Sequence, residues 1–304
     1  DTLYVRGRKK VMSMESRKFI DVDGINTSYF EKGRGEPLIL LHGGNFGSNQ
    51  LADSALDFST NFDGLSTRYN VFAIDKIGQG YSANPKNKQD YTMQKVVEHA
   101  CSTLDALGIR DAHLVGHSRG AYLVCAMTLQ RPDLVKTVTF VDSNTLAPGV
   151  GLNDIVLANP PGRPLSAACQ RWVIEKYSYS SHHITDDWID EIVKIAKRPE
   201  YEEARKIITD DGLRYTQFMP LLAREKLQMF AQIRDNGLQR PTNLIWGLND
   251  PTAPVDMCRA LFDLCALRES KTQMHIINQA GHFSFREHPE EFNACLTGFI
   301  EGVA

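Results

Sequence analysis

No surplus of either charge marks this chain: 34 Lys and Arg stand against 37 Asp and Glu, a formal net charge of −3 over 304 residues. That balance leaves no electrostatic footprint for a polyanion, so nucleic acid is not an expected partner. No stretch approaches the roughly 18 consecutive apolar residues of a membrane-spanning helix, so no membrane partner is expected either. Residues 1–17 carry no signal-peptide apolar core. They are polar and basic, with Arg6, Arg8, Lys9 and Lys10, and read as a flexible arm. Cysteine is sparse: six are present, with neither a C-x-x-C pair nor zinc-ligand spacing. Such cysteines point to buried thiols in a reducing compartment, cytoplasmic by expectation, and to no metal site.

What the chain does have is rhythm. Apolar residues make up 42% of it, enough for one large domain with an insertion. Residues 18–23 and 25–30 read as a hairpin around Asp23-Gly24. The runs 37–41, 69–75, 112–115, 134–141, 242–246 and 272–277 read as buried strands, and 93–107, 121–129, 255–267 and 289–300 as helices. Strands alternating with helices predict an α/β fold with a mostly parallel twisted sheet flanked by helices. The rhythm breaks from 148 to 240, which reads as a helical lid inserted into a core made of 18–147 and 241–304. The lid aromatics, among them Tyr177, Trp188, Phe218 and Phe230, are expected mainly in its own core, and His182-His183 as a solvated pair.

Within this pattern Gly116-x-Ser118-x-Gly120 follows a strand and opens a helix. That context is a nucleophile elbow, a turn so tight that only glycine fits on either side of an exposed serine. A serine hydroxyl needs a base within hydrogen-bond reach, and the base needs an orienting acid. His282 is the expected base and Asp250 the acid, with Asp142 as the rival acid because it also ends a strand. The order Ser, Asp, His is that of α/β hydrolases. The N–H groups of Gly44 and Arg119 are the expected oxyanion hole. Asp75 reads as a loop-fixing acceptor rather than an acid catalyst. The Gly-rich stretch after His42 lacks the Lys-Ser/Thr of a phosphate loop, and no cofactor is called for.

Taken together, His42-Gly43-Gly44, Asp75-x-x-Gly78-x-Gly80-x-Ser82, the elbow, Trp246-Gly247-x-x-Asp250 and Gly281-His282-x-x-x-x-Glu287-x-Pro289 resemble the α/β-hydrolase family from about residue 18 to 302. Within it the chain is similar to the meta-cleavage-product hydrolases, on the His42-Gly43-Gly44-Asn45-x-Gly47 loop, Asn49 and the lid size. That resemblance implies cleavage of a carbon–carbon bond in a vinylogous diketone from aromatic degradation. It also implies a small hydrophobic or aromatic-derived substrate, and is compatible with a homodimer. Gly43, Asn45, Asn49, Trp172 and Phe283 are the residues expected against the substrate. Phe283 stands where the family usually has Trp, and Ile192 or Val193 where it has an arginine, leaving Arg171, Arg214 or Arg224 to substitute. A carboxylic-ester or lactone hydrolase is the alternative enzyme. A non-catalytic ligand-binding member of the fold is the alternative from a different class.

Overall fold

Eight strands form a single sheet in a computed structural model that describes residues 17–303. They are β1 (Arg17–Val22), β2 (Ile25–Lys32), β3 (Pro37–Leu41), β4 (Asn70–Ile74), β5 (Ala112–His117), β6 (Val135–Val141), β7 (Thr242–Gly247) and β8 (Thr272–Ile277). Their spatial order is β1-β2-β4-β3-β5-β6-β7-β8. β1 and β2 run antiparallel, β2 meets β4 antiparallel, and every pairing from β4 to β8 is parallel. The hairpin turn needs positive φ at both central residues, and Asp23 and Gly24 have φ of 55° and 76°. Arg17, assigned to the arm from sequence, instead opens β1, where its guanidinium donates to Asp75 and Ser28. The remainder of that proposed arm, 1–16, lies outside the described residues.

The helices, in chain order, are α1 (Ser59–Leu65), α2 (Met93–Ala106), α3 (Arg119–Gln130), α4 (Asn153–Val156), α5 (Ala167–Tyr177), α6 (Asp186–Ala196), α7 (Pro199–Arg205), α8 (Met219–Asn236), α9 (Val255–Ala266), α10 (Ser284–Glu287) and α11 (Pro289–Val303). Strand side chains alternate between faces, so the central strands feed two cores. Ile39 and Leu41 of β3 join Phe72 and Ile74 of β4 under α2, α3 and α9, while Leu38, Leu40, Val71 and Ala73 face α1 and α11. This is why these runs are apolar throughout rather than alternating.

Helices α4 to α8 lie between β6 and β7 in the chain. This insertion joins both cores: Phe218 and Leu222 pack into the first, and Trp188, Ile189, Ile192 and Ile195 into the second. Helix α6 shows how. Thr185 caps it by accepting from the Trp188 N–H, its apolar residues recur every three to four positions, and Asp186, Asp187 and Asp190 lie off that stripe. Two π-helical turns, Lys206–Asp210 and Arg214–Phe218, lie between α7 and α8.

Candidate active site

The elbow sits where the sheet's carboxyl edge meets α3. Ser118 has φ 52° and ψ −117°, a backbone conformation that side chains rarely adopt. A Cβ on Gly116 would lie 2.1 Å from the Gly120 carbonyl oxygen, and one on Gly120 would lie 2.2 Å from that of Leu41. Backbone occupies both places, so the two glycines are sterically required. The Ser118 N–H donates to the Val141 carbonyl, tying the strained turn to β6.

Two loops from the far end of the chain complete the arrangement. His282 Nε2 lies 3.0 Å from Ser118 Oγ, and His282 Nδ1 lies 2.7 Å from Asp250 Oδ2. The other oxygen of Asp250 accepts from the Thr252 N–H, the Thr252 hydroxyl and the Ala253 N–H, so the carboxylate is clamped by its own loop. Burial disfavours a charged His282, but the carboxylates of Asp250, Asp142 and Asp53 outweigh it and hold the imidazole above its ordinary value. The rival acid is employed elsewhere. Asp142 accepts from the Gly247 N–H and from the Ser284 N–H and hydroxyl, bracing the two loops rather than the imidazole.

The His282 loop is fixed by groups that are themselves buried. Glu287 accepts from the Gly281 and Ser180 N–H groups, and the His282 N–H donates to the Tyr177 carbonyl at the end of α5. His117 Nε2 lies 2.8 Å from the His282 carbonyl oxygen, and burial pushes its imidazole well below its ordinary value, so it stays neutral. Asp75 receives the Ala55 and Tyr81 N–H groups as well as Ser28 and Arg17, which makes it a loop anchor.

The chain is similar to named proteins and to proteins of known structure. The profile described as the alpha/beta hydrolase fold matches residues 36–168. A 2-hydroxymuconate semialdehyde hydrolase of Pseudomonas sp. (strain CF600) is 26% identical over 95% of each chain. A 2-hydroxy-6-oxo-6-(2'-aminophenyl)hexa-2,4-dienoic acid hydrolase of Metapseudomonas resinovorans is 24% identical, covering 96% of this chain and 93% of its own. Among solved structures, a meta-cleavage product hydrolase from Pseudomonas fluorescens IP01 superposes with a TM-score of 0.76 at 23% identity, over 96% of this chain and 100% of that one. The chain is an α/β-hydrolase-fold protein.

Within this fold a cavity of about 610 Å³ opens above Ser118, between the sheet edge and the helical insertion. Gly44, Asn45, Arg119 and Phe283, all named above as candidates, line it. Three expected substrate contacts fall outside its lining. Gly43 is absent from the lining; its carbonyl accepts from Lys76, and a Cβ there would press on His117 and Ser118. Asn49 is half-buried beyond the cavity wall. Trp172 packs on the outer side of the second core, with the Lys176 ammonium 5.9 Å from its ring.

His182 and His183 also need correcting as a solvated pair. They lie in a turn; His182 is exposed, but His183 is buried, its ring 6.0 Å from that of Trp188 and 6.1 Å from that of Phe283, with Nε2 2.8 Å from the Ser178 hydroxyl. Burial lowers its pKa to about 2. Of the insertion's aromatics, Trp188 and Phe218 are core, whereas Tyr177 and Phe230 reach the cavity.

Asp53, Asn144, Asn153 and Lys226 are among the polar cavity residues that sequence reasoning missed. Asn153 donates to the Tyr177 hydroxyl, and Lys226 donates to the carbonyls of Ala147 and Asn144. None belongs to a motif: Asp53 and Asn144 stand on loops of the core, Asn153 and Lys226 on helices of the insertion. Of the three candidate arginines, Arg214 lines the cavity, Arg171 pairs with Asp186 at the surface, and Arg224 is exposed. Of the two apolar lid positions matched to the resembled family's arginine, Ile192 is fully buried and Val193 is half-buried. Among the described residues no cluster of side chains suits a metal ion, and no helix is long and apolar enough to cross a membrane. All six cysteines are free.

Proposed function

We propose that this protein is a serine hydrolase that cleaves a carbon–carbon bond in a vinylogous diketone formed by aromatic ring opening. The observation that carries the reading is the continuous relay Asp250–His282–Ser118 opening onto the cavity. The full-length similarity to ring-cleavage-product hydrolases supports the substrate class.

The chemistry follows from the distances. His282 Nε2 accepts the Ser118 proton as Oγ attacks the substrate carbonyl, while Asp250 holds the imidazole in the tautomer that makes this possible. The Gly44 N–H and the Arg119 N–H take the oxyanion. Arg119 is the first residue of α3, so its N–H has no acceptor inside the helix. Each such donor is worth about 3 kcal/mol. The imidazolium returns its proton to the carbon leaving group, and water releases the acyl-enzyme. The insertion acts as the lid over this step. Arg119 and Arg214 both line the cavity, and each has a buried Nε without a partner among the described residues. They suit an anionic group on the substrate.

The second reading, a carboxylic-ester or lactone hydrolase, is favoured by one observation: the lid positions Ile192 and Val193 are apolar, pack on the second core and offer no charge. Loss of dienoate absorbance assayed beside p-nitrophenyl ester hydrolysis ranks the two. In either, Ser118→Ala lowers turnover by about 10⁴-fold or more while the fold is kept. Near wild-type turnover in that variant refutes the serine mechanism.

A further inference from the structure

Outside the relay, the most unusual buried group in the molecule is Lys76. It is 3% exposed and has no carboxylate within ion-pair distance among the described residues. Its ammonium instead donates to two backbone carbonyls, Gly43 at 2.7 Å and Gly44 at 2.9 Å. The Gly43 carbonyl and the Gly44 N–H belong to one peptide group. A cation on that oxygen draws electrons through the amide and leaves the N–H a stronger donor, as chained hydrogen bonds do.

The carboxyl that acts most strongly on Lys76 is Asp53, which crowds Gly44. A Cβ on Gly44 would lie 2.2 Å from Asp53 Oδ2, and Asp53 lines the cavity beside Ser118. No side chain donates to it among the described residues; the one donor that steadies its charge is its own backbone. A negative charge so placed opposes an oxyanion at the Gly44 N–H.

We propose that Lys76 is a positioning residue of the oxyanion hole, its ammonium polarising the Gly43–Gly44 peptide, and that Asp53 is the counter-charge whose protonation state tunes the hole. The inference rests on the serine-hydrolase reading, since it needs an oxyanion at Gly44. It adds an element that neither the elbow nor the relay supplies: a titratable switch on the oxyanion side of the serine, opposite the base.

The surroundings fix the sign. Lys76 faces Asp53 and Asp57, which favour its charge, and Arg119, which opposes it; His42 and His117 lie close by and are kept neutral by burial. Burial dominates and lowers the ammonium to about 7. Asp53 faces Lys76, His282, Arg119 and Asp57, with the Tyr177 and Tyr201 hydroxyls nearby, and burial raises it to about 6. Arg286 balances Asp57 from the far side. Activity therefore rises with pH as His282 becomes a base and falls again as Lys76 loses its proton.

The test measures kcat and KM for p-nitrophenyl acetate from pH 5 to 10, with the rate of Ser118 labelling by a fluorophosphonate, in wild type, Lys76→Met and Asp53→Asn. Lys76→Met is expected to lower kcat about tenfold or more, with KM moved far less, and to erase the alkaline limb. Asp53→Asn, nearly isosteric, is expected to fold normally and to move the alkaline limb to lower pH, because the charge that favours the ammonium is gone. If Lys76→Met does not fold, the Asp53→Asn profile decides alone. Unchanged alkaline limbs in the folded variants overturn the proposal. Wild-type protein that the fluorophosphonate does not label refutes the serine reading instead, which keeps the two failures distinct.

Discussion

The sheet edge and the helical insertion build opposite walls of one cavity by different means. On the sheet side, positions are set by backbone. Gly116 and Gly120 leave no room for a Cβ, Ser118 is held at positive φ, and the Asp250 carboxylate is gripped by main-chain N–H groups two and three residues on. On the insertion side, positions are set by side-chain packing: Trp188 against Phe283 and Arg286, Phe218 against Phe46, and Arg214 on a π-helical turn. Backbone-set geometry tolerates almost no substitution, whereas packing-set geometry can be re-cut. A fold arranged this way keeps its chemistry on the sheet and varies its substrates through the insertion.

The largest effect should come from the sheet wall. Asp250→Asn keeps the shape of the loop but presents an amide to His282 Nδ1, which favours the wrong tautomer. A loss of about 10⁴ in kcat is expected by that mechanism. Removing the carboxylate also removes a charge that raises the His282 pKa, so the acid limb of the rate profile should move to lower pH. A kcat within tenfold of wild type, or an acid limb that stays put, would mean that Asp142 or another group orients the imidazole.

On the insertion wall the first effect should be on stability. Trp188 is 1% exposed, crosses Phe283 edge-on at 5.8 Å, and has the Arg286 guanidinium 3.7 Å from its ring. Trp188→Ala should cost about 3–5 kcal/mol in urea unfolding. Because the residue joins α6 to the His282 loop, unfolding should stay a single transition. Two separate transitions would show that the insertion melts on its own and would break the comparison at its root.

The two walls also differ in how legible they are in sequence. The sheet wall is written in local rules: a glycine that must lack a side chain, a residue that must follow a strand, a serine that must open a helix. Ser118, Asp250 and His282 are legible because each obeys such a rule, although nothing local gives the distances between them. Glu287 is legible only as a motif letter, and its work on the Gly281 and Ser180 N–H groups appears once the loops are folded. The insertion wall offers only helical periodicity, which tells buried from exposed but not cavity from core. That is why Trp172 reads as a contact and packs elsewhere, why His183 reads as solvated and is buried, and why Lys226 goes unnoticed. Arg17 fails for a simpler reason: its value to β1 lies in Asp75, 58 residues away.

The smallest effect should separate substrate choice from catalysis on that same wall. Arg214 contributes an unpartnered buried Nε to the cavity and touches none of the relay. If it binds an anionic group, Arg214→Gln should lower kcat/KM for a dienoate by about 10- to 100-fold, about 1.4–2.8 kcal/mol, the scale of one charge-assisted hydrogen bond. Most of that loss should appear in KM, since a group bound equally in ground and transition states does not alter the chemical step. The rate on a neutral p-nitrophenyl ester should change several-fold less, because that substrate brings no anion to bind. Equal losses on both substrates would place Arg214 with the catalytic machinery instead, and the division between a wall that reacts and a wall that selects would no longer hold.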